Sequence, residues 1–185
     1  MLIRLTRAQM RERCRHIDRL IDAKKLARAR RMIIATLAFE SRDHWLLSRL
    51  ATVERHADNA AEALRIARAA LRDWPSCPLL IWECAESELE LGRRKSALHR
   101  FESMARRRVS TLAFEQCGEG IAWARGIVAD SHVRAAEVAG ALGMIPRARR
   151  HLARARAEKR ARAVSEFDGA YLRDVARRLD RLDRA

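Results

Sequence analysis

Apolar and small residues recur at helical spacing on both sides of Gly92. Leu80, Ile81, Cys84, Ala85 and Leu89 precede it, and Ala97, Phe101 and Met104 follow it. Pro78 suits the first turn of the helix before it, because the missing N–H would be unpaired there, and Gly92 suits the left-handed residue that ends that helix. The same pattern predicts helices along the whole chain. Thr6 and Gln9 form a capping box for a helix through Met10, Cys14, Ile17 and Ile21. A second helix covers about residues 25–40, and Asp43 is the N-cap of a third that carries Trp45, Leu46, Leu47 and Leu50. Its partner covers residues 60–74. Ser110 is read as the N-cap of a helix over 111–128, with Gly118, Gly120 and Gly126 taken as close-packing positions rather than a bend. A further helix pair is read from Ser131, its second member over 146–163. Tyr171, Leu172, Val175, Leu179 and Leu182 then form one stripe on a last helix.

A shift of 34 residues superposes these segments. Leu47, Leu50, Ala51, Ala63, Ala67 and Ala70 fall on Ile81, Cys84, Ala85, Ala97, Phe101 and Met104. With a small residue in the first helix, then Gly, Ala, a large apolar residue and Ala, the chain resembles the tetratricopeptide repeat family. The family's tyrosine position holds Glu54 and Glu88, and its glycine position in the earlier unit holds Asp58. Beyond Ser131 the frame returns at a shift of 51, where Ala135, Ala136, Gly143, Ala148, Leu152 and Ala155 match. That shift is one repeat plus about one helix, so the face assigned to the helix over 146–163, inner or outer, stays open. The resemblance implies an all-α, right-handed superhelix (α-solenoid) of antiparallel helix pairs, with about nine to ten helices and a C-terminal capping helix. It divides a single domain, 1–185, into a degenerate first repeat (6–42), two well-matched repeats (43–77 and 78–110), irregular repeats (111–163) and the cap (165–185).

Charge alters this picture more than composition does. The net charge is +15, distributed as +8 over residues 1–42 (12 basic, 4 acidic), −4 over 43–92 (5 and 9) and +11 over 93–185 (22 and 11). An acidic middle between basic ends points to self-association or to a partner that reads one portion. No apolar run reaches the ~18 residues of a membrane span, and Arg4, Arg7, Arg11 and Arg13 are not followed by a secretory apolar stretch. Cys14, Cys77, Cys84 and Cys117 form no C-x-x-C pair, and the six histidines form no H-x-x-x-H. The expectation is therefore reduced thiols, a cytoplasmic protein, no metal and no cofactor.

The sequence contains no nucleophile elbow, phosphate-binding glycine loop or H-E-x-x-H, so the expectation is a non-enzyme. Glu83, Glu86, Glu88 and Glu90 are expected on a solvated helix face. The family resemblance implies a second role for part of this region. One edge of each first helix would line a concave groove, carrying Trp45, Ser48, Thr52 and Arg55 in one unit and Leu79, Trp82, Glu86 and Glu90 in the next. The implied function is a protein-interaction module, an adaptor, scaffold or chaperone-like subunit that captures a peptide or helix of a partner. The Lys and Asn residues with which some family members clamp a chaperone carboxylate are missing from this register. The alternative is a protein binding nucleic acid or another acidic surface through Arg147, Arg149, Arg150, Arg154, Arg156, Lys159, Arg160 and Arg162. The segment before them, AAEVAGALGM, also resembles the helix-turn-helix of bacterial transcription regulators. That motif needs an apolar residue where this chain has Arg149.

Overall fold

The computed structural model describes residues 6–40, 42–115, 117–161 and 163–184. Among them are ten α-helices and no strand: α1 (Arg7–Asp22), α2 (Leu26–Leu37), α3 (His44–His56), α4 (Ala60–Ala70), α5 (Pro78–Glu90), α6 (Arg94–Ala105), α7 (Val109–Phe114), α8 (Ile121–Ala141), α9 (Ile145–Arg160) and α10 (Gly169–Leu182). The architecture is all-α and compatible with a helical solenoid. No helix of the described residues is long and apolar enough to cross a membrane. The chain forms two compact units, Met1–Leu91 and Gly92–Ala185.

Local chemistry fixes the helix starts. The capping box of Thr6 and Gln9 opens α1, the Asp43 carboxylate accepts from Leu46 N at 2.8 Å to open α3, and Pro78 occupies the first turn of α5. The corners between paired helices repeat. Lys24 (φ 54°), Asp58 (φ 60°) and Gly92 (φ 73°) are all left-handed and stand 34 residues apart. Gly143 (φ 73°) is the fourth such corner, 51 residues beyond Gly92. At three of them the following residue's N–H reaches back five residues to close the helix: Lys25 N to Leu20 O at 2.8 Å, Asn59 N to Glu54 O at 2.9 Å and Met144 N to Ala139 O at 2.9 Å.

In the first unit successive helices pack on one another, and α3 also touches α1 and α5. Ile17, Ile21, Ala29, Ile33, Leu46 and Val53 form its first core cluster. Ala51, Ala63, Ala67, Cys84 and Ala85 are buried where the 34-residue frame wants small residues, which lets backbones approach closely. In the second unit α8 is central: it packs on α6, α7, α9 and α10, and is buried on most sides. The stripe of Leu172, Val175 and Leu179 is buried and seats α10 on α8 and α9, with Leu179 Cδ2 filling the space over Gly140.

Two expectations for the second unit are corrected. The single helix over 111–128 is broken: α7 begins at Val109, with Arg108 and not Ser110 as its N-cap, and ends at Phe114. Glycine is the physical reason. Gly118 lies so close to α7 that a Cβ there would stand 2.4 Å from Ala113 O, and Gly120, at φ 95°, is the N-cap of α8. Cys117 consequently sits in the break and not in a helix. The expected start at Ser131 is likewise absent, since α8 runs unbroken from Ile121 to Ala141. Gly126 does serve close packing: a Cβ there would fall 1.7 Å from Val164 O. The strap between α9 and α10 lies along α8 at that point. Val164 N donates to Ala122 O at 3.1 Å, and Ser165 Oγ and Glu166 N donate to Asp130 at 2.5 and 3.1 Å. Burial raises the Asp130 carboxyl above its ordinary pKa against these hydrogen bonds.

Candidate functional site

The two edges expected to share a groove are adjacent and interlocked. On α3, Ser48 Oγ donates to Trp45 O at 2.7 Å, and Thr52 Oγ1 donates to Glu83 Oε1 of α5 at 2.8 Å. Arg55 Nε donates to Glu83 Oε2 at 3.1 Å and its Nη1 to Glu90 Oε1 at 3.1 Å. Trp45 is half-buried with the Arg49 guanidinium 4.9 Å from its ring centre. Leu79 and Trp82 are half-buried, Glu90 is exposed, and Ser48, Thr52 and Glu86 are buried.

The solvated-face expectation for the α5 glutamates is therefore overturned at three positions. Glu83, Glu86 and Glu88 are 5, 7 and 0% exposed. Counter-charges from neighbouring helices are the reason. Arg55 faces Glu83 and Glu86, and Arg68 of α4 reaches Glu88 Oε1 at 2.8 Å. Burial raises the Glu83 carboxyl above its ordinary pKa even with Arg55 beside it. Arg55 itself is raised, because its glutamates outweigh a burial that alone would lower it. A buried glutamate recurs 34 residues before Glu88, where Arg30 of α2, one helical turn earlier in the register than Arg68, reaches Glu54 Oε1 at 2.6 Å. Positions 54 and 88, one period apart, thus each hold a buried carboxylate matched to an arginine of the preceding helix. Glu83 was hidden in the sequence among four similar glutamates, although Thr52 and Arg55, three apart on α3, were a usable signal.

The basic helix, α9, divides into two sets. Arg147 binds Glu102 through Nε and Nη2 at 2.6 and 2.5 Å, Arg149 binds Asp180 and Asp183 at 3.0 and 2.9 Å, and Lys159 donates to the Phe167 carbonyl. Arg150, Arg154, Arg156 and Arg160 project outward, and Arg162 lies outside the described residues. Ala148, Leu152 and Ala155 are the buried side of α9, as the repeat frame requires, while Arg149 is half-exposed and engaged by α10. The apolar contact that a recognition helix makes at that position is replaced by an ion pair.

Sequence reading missed a buried relay behind α9. Glu102 Oε1 lies 2.9 Å from His151 Nε2, and His151 Nδ1 lies 2.9 Å from His132 Nδ1 of α8, so one of these two nitrogens donates and the other accepts. Burial, then the electrostatic influence of His151 and Arg154, push His132 down to about 4. Burial opposes ionisation of Glu102, yet hydrogen bonds from Arg147 and His151 hold it below the ordinary carboxylate range. No spacing rule joins residues 102, 132 and 151, which explains why the relay was not read from the sequence.

No protein-family model matches the chain, and no curated protein or solved structure matches it either.

Proposed function

We propose that this chain is a tetratricopeptide-like interaction module, an adaptor or scaffold that engages a peptide or helix of a partner protein along the face shared by α3 and α5. The observation that carries this reading is the 34-residue recurrence of left-handed corners at Lys24, Asp58 and Gly92, with a helix pair between each. Stacked pairs of this kind present side-by-side first helices, and the contacts of α3 with both α1 and α5 fit that arrangement. The contacts of α8 with α6, α9 and α10 likewise support the match at a shift of 51, with α8 as a first helix and α9 as its second. The internal ion pairs narrow the expected anchor set. Ser48, Thr52, Arg55 and Glu86 set the shape of the α3–α5 face, and Trp45, Leu79, Trp82 and Glu90, its half-buried and exposed positions, are the proposed contacts for a partner with apolar and basic residues.

The second reading, binding of a phosphate backbone, rests on the outward row of Arg150, Arg154, Arg156 and Arg160. Affinity capture from a host lysate, with and without nuclease, separates the two. The interaction module predicts a protein partner that survives nuclease, persists with R154E/R156E and is lost with W82A/E90K while the circular dichroism of that variant is unchanged. Retention of the partner by a folded W82A/E90K variant would falsify the α3–α5 assignment. Recovery of nucleic acid alone, lost with R154E/R156E, would favour the second reading.

A further inference from the structure

A cleft of about 420 Å³ opens between α1 and α2, away from the α3–α5 face. Arg13 and His16 form one side, at i and i+3 on α1, and Arg28 and Arg31 form the other at the same spacing on α2. Leu20, Met32 and Ala35 make an apolar floor. No acidic side chain is among the described residues that line it. Arg13 is positioned: its Nη1 donates to Thr36 Oγ1 at 3.3 Å, and Thr36, fully buried, donates in turn to Met32 O at 2.7 Å.

The second pair differs on this face. One period later the positions of His16 and Met32 hold Leu50 and Ile66. Leu50 packs on the α1–α2 core and Ile66 is buried. The positions of Arg13, Leu20, Arg28 and Arg31 hold Leu47, Glu54, Glu62 and Arg65 in the second pair, so the cluster of cations around an aliphatic row is particular to the first. A covering element would have to supply carboxylates around an aliphatic row.

We propose that this cleft is a docking site for an acidic amphipathic helix of a partner protein, whose aliphatic residues rest on Leu20 and Met32 and whose carboxylates meet Arg13, Arg28 and Arg31. A polyanion without apolar groups satisfies only the rim. No Phe, Tyr or Trp lines the cleft among the described residues, so a nucleobase would find only the His16 imidazole and guanidinium planes to stack on, and the Leu20 and Met32 floor would go unused. Arg13 to Leu20 spans about 10 Å along α1, so two turns of a partner helix suffice.

The test is fluorescence anisotropy with the full chain and a labelled helical peptide of about four turns, carrying Glu pairs on either side of a Leu row. A peptide of identical composition with the row scrambled is the control. The expected result is saturable binding that weakens at least about ten-fold for the scrambled peptide and at least about ten-fold for R28E/R31E. R154E/R156E should bind the peptide as the wild type does. Arg28 and Arg31 are exposed, so these changes spare the core, and M32Q is a second variant that removes the apolar contact without changing the charge of the cleft and should weaken binding as well. Equal affinity for the two peptides, binding unaffected by R28E/R31E, or no binding at high micromolar peptide each overturns the proposal. Displacement of the peptide by polyuridylate, with polyuridylate binding itself lost in R28E/R31E, would overturn it in favour of nucleic acid. Dimerisation abolished by R28E/R31E would overturn it in favour of a second copy. A failed α3–α5 assignment is visible only with W82A/E90K, so the two readings fail separately.

Discussion

Lys24 holds a left-handed backbone conformation that glycine adopts without steric cost, and the penalty for a lysine there is about 1 kcal/mol. K24G is expected to stabilise the protein by about that amount, read as a rise in urea midpoint without a change in slope. D58G should gain less, because aspartate tolerates this region better than lysine. Burial decides the worth of the ion pairs in α4. Arg65 pairs with Glu62 on the surface, and R65A should leave the unfolding midpoint unchanged. Arg68 pairs with a Glu88 that is 0% exposed, and R68A is expected to cost about 2 kcal/mol because a carboxylate inside the fold loses its counter-charge. Gly126 is the strictest position: G126A would drive a methyl group into the Val164 carbonyl and should cost about 3 kcal/mol or more, measured in the same assay.

Packing of α8 against α9 runs through a His132 ring held neutral at ordinary pH. Its folded pKa, about 4, lies below the ordinary 6.5, so the unfolded chain takes up this proton first as pH falls. Stability from this group is complete above about pH 6.5, declines from there to about pH 4 and changes no further below it, with a total of roughly 3 kcal/mol. Urea unfolding between about pH 7 and pH 4.5 should lose this component in H132L, whose pH profile is expected to be flatter than that of the wild type. Element by element, periodicity was a good guide where capping chemistry agreed with it. Thr6 with Gln9, Asp43, Pro78 and Gly92 all mark the ends that the structure has. It failed at 111–131, where helical spacing continues through a break made by the close backbone approach at Gly118 and the positive φ of Gly120. Neither depends on side-chain pattern. The candidate site was legible as positions and illegible as burial. That the α3 and α5 edges adjoin was implied by the family resemblance, and only the counter-charges of Arg55 and Arg68 explain why the glutamates on α5 lie inside.

On the scale of the whole chain, the uneven charge has two physical forms. In the acidic stretch Glu54, Glu83 and Glu88 are buried against Arg30, Arg55 and Arg68, so these carboxylates do not face a partner, whereas the outward arginines of α9 keep their field in solvent. If α9 touches a phosphate backbone, the double variant R154A/R156A should lower the slope of log affinity against log salt by about 2 on a DNA duplex. An unchanged slope would assign any binding to other residues. The basic cleft of α1 and α2 is expected to respond to peptide and not to R154A/R156A, so the two cationic surfaces can be titrated separately.

The matched carboxylates of the first unit carry a consequence for how such a chain can grow. Each arginine sits in the second helix of one pair and its glutamate in the first helix of the next, as Arg30 does for Glu54 and Arg68 for Glu88. Arg30 and Arg68 differ by one helical turn in the 34-residue register, so a duplication or deletion of a whole period keeps a donor beside each acceptor when the cut leaves the arginine of the preceding helix in place. A splice offset by one helix strands a carboxylate indoors. The chain thus carries a grammar of adjacency, in which a segment is admitted by its predecessor's charge, and lineages that lengthen or shorten it would be confined to cuts that preserve this punctuation.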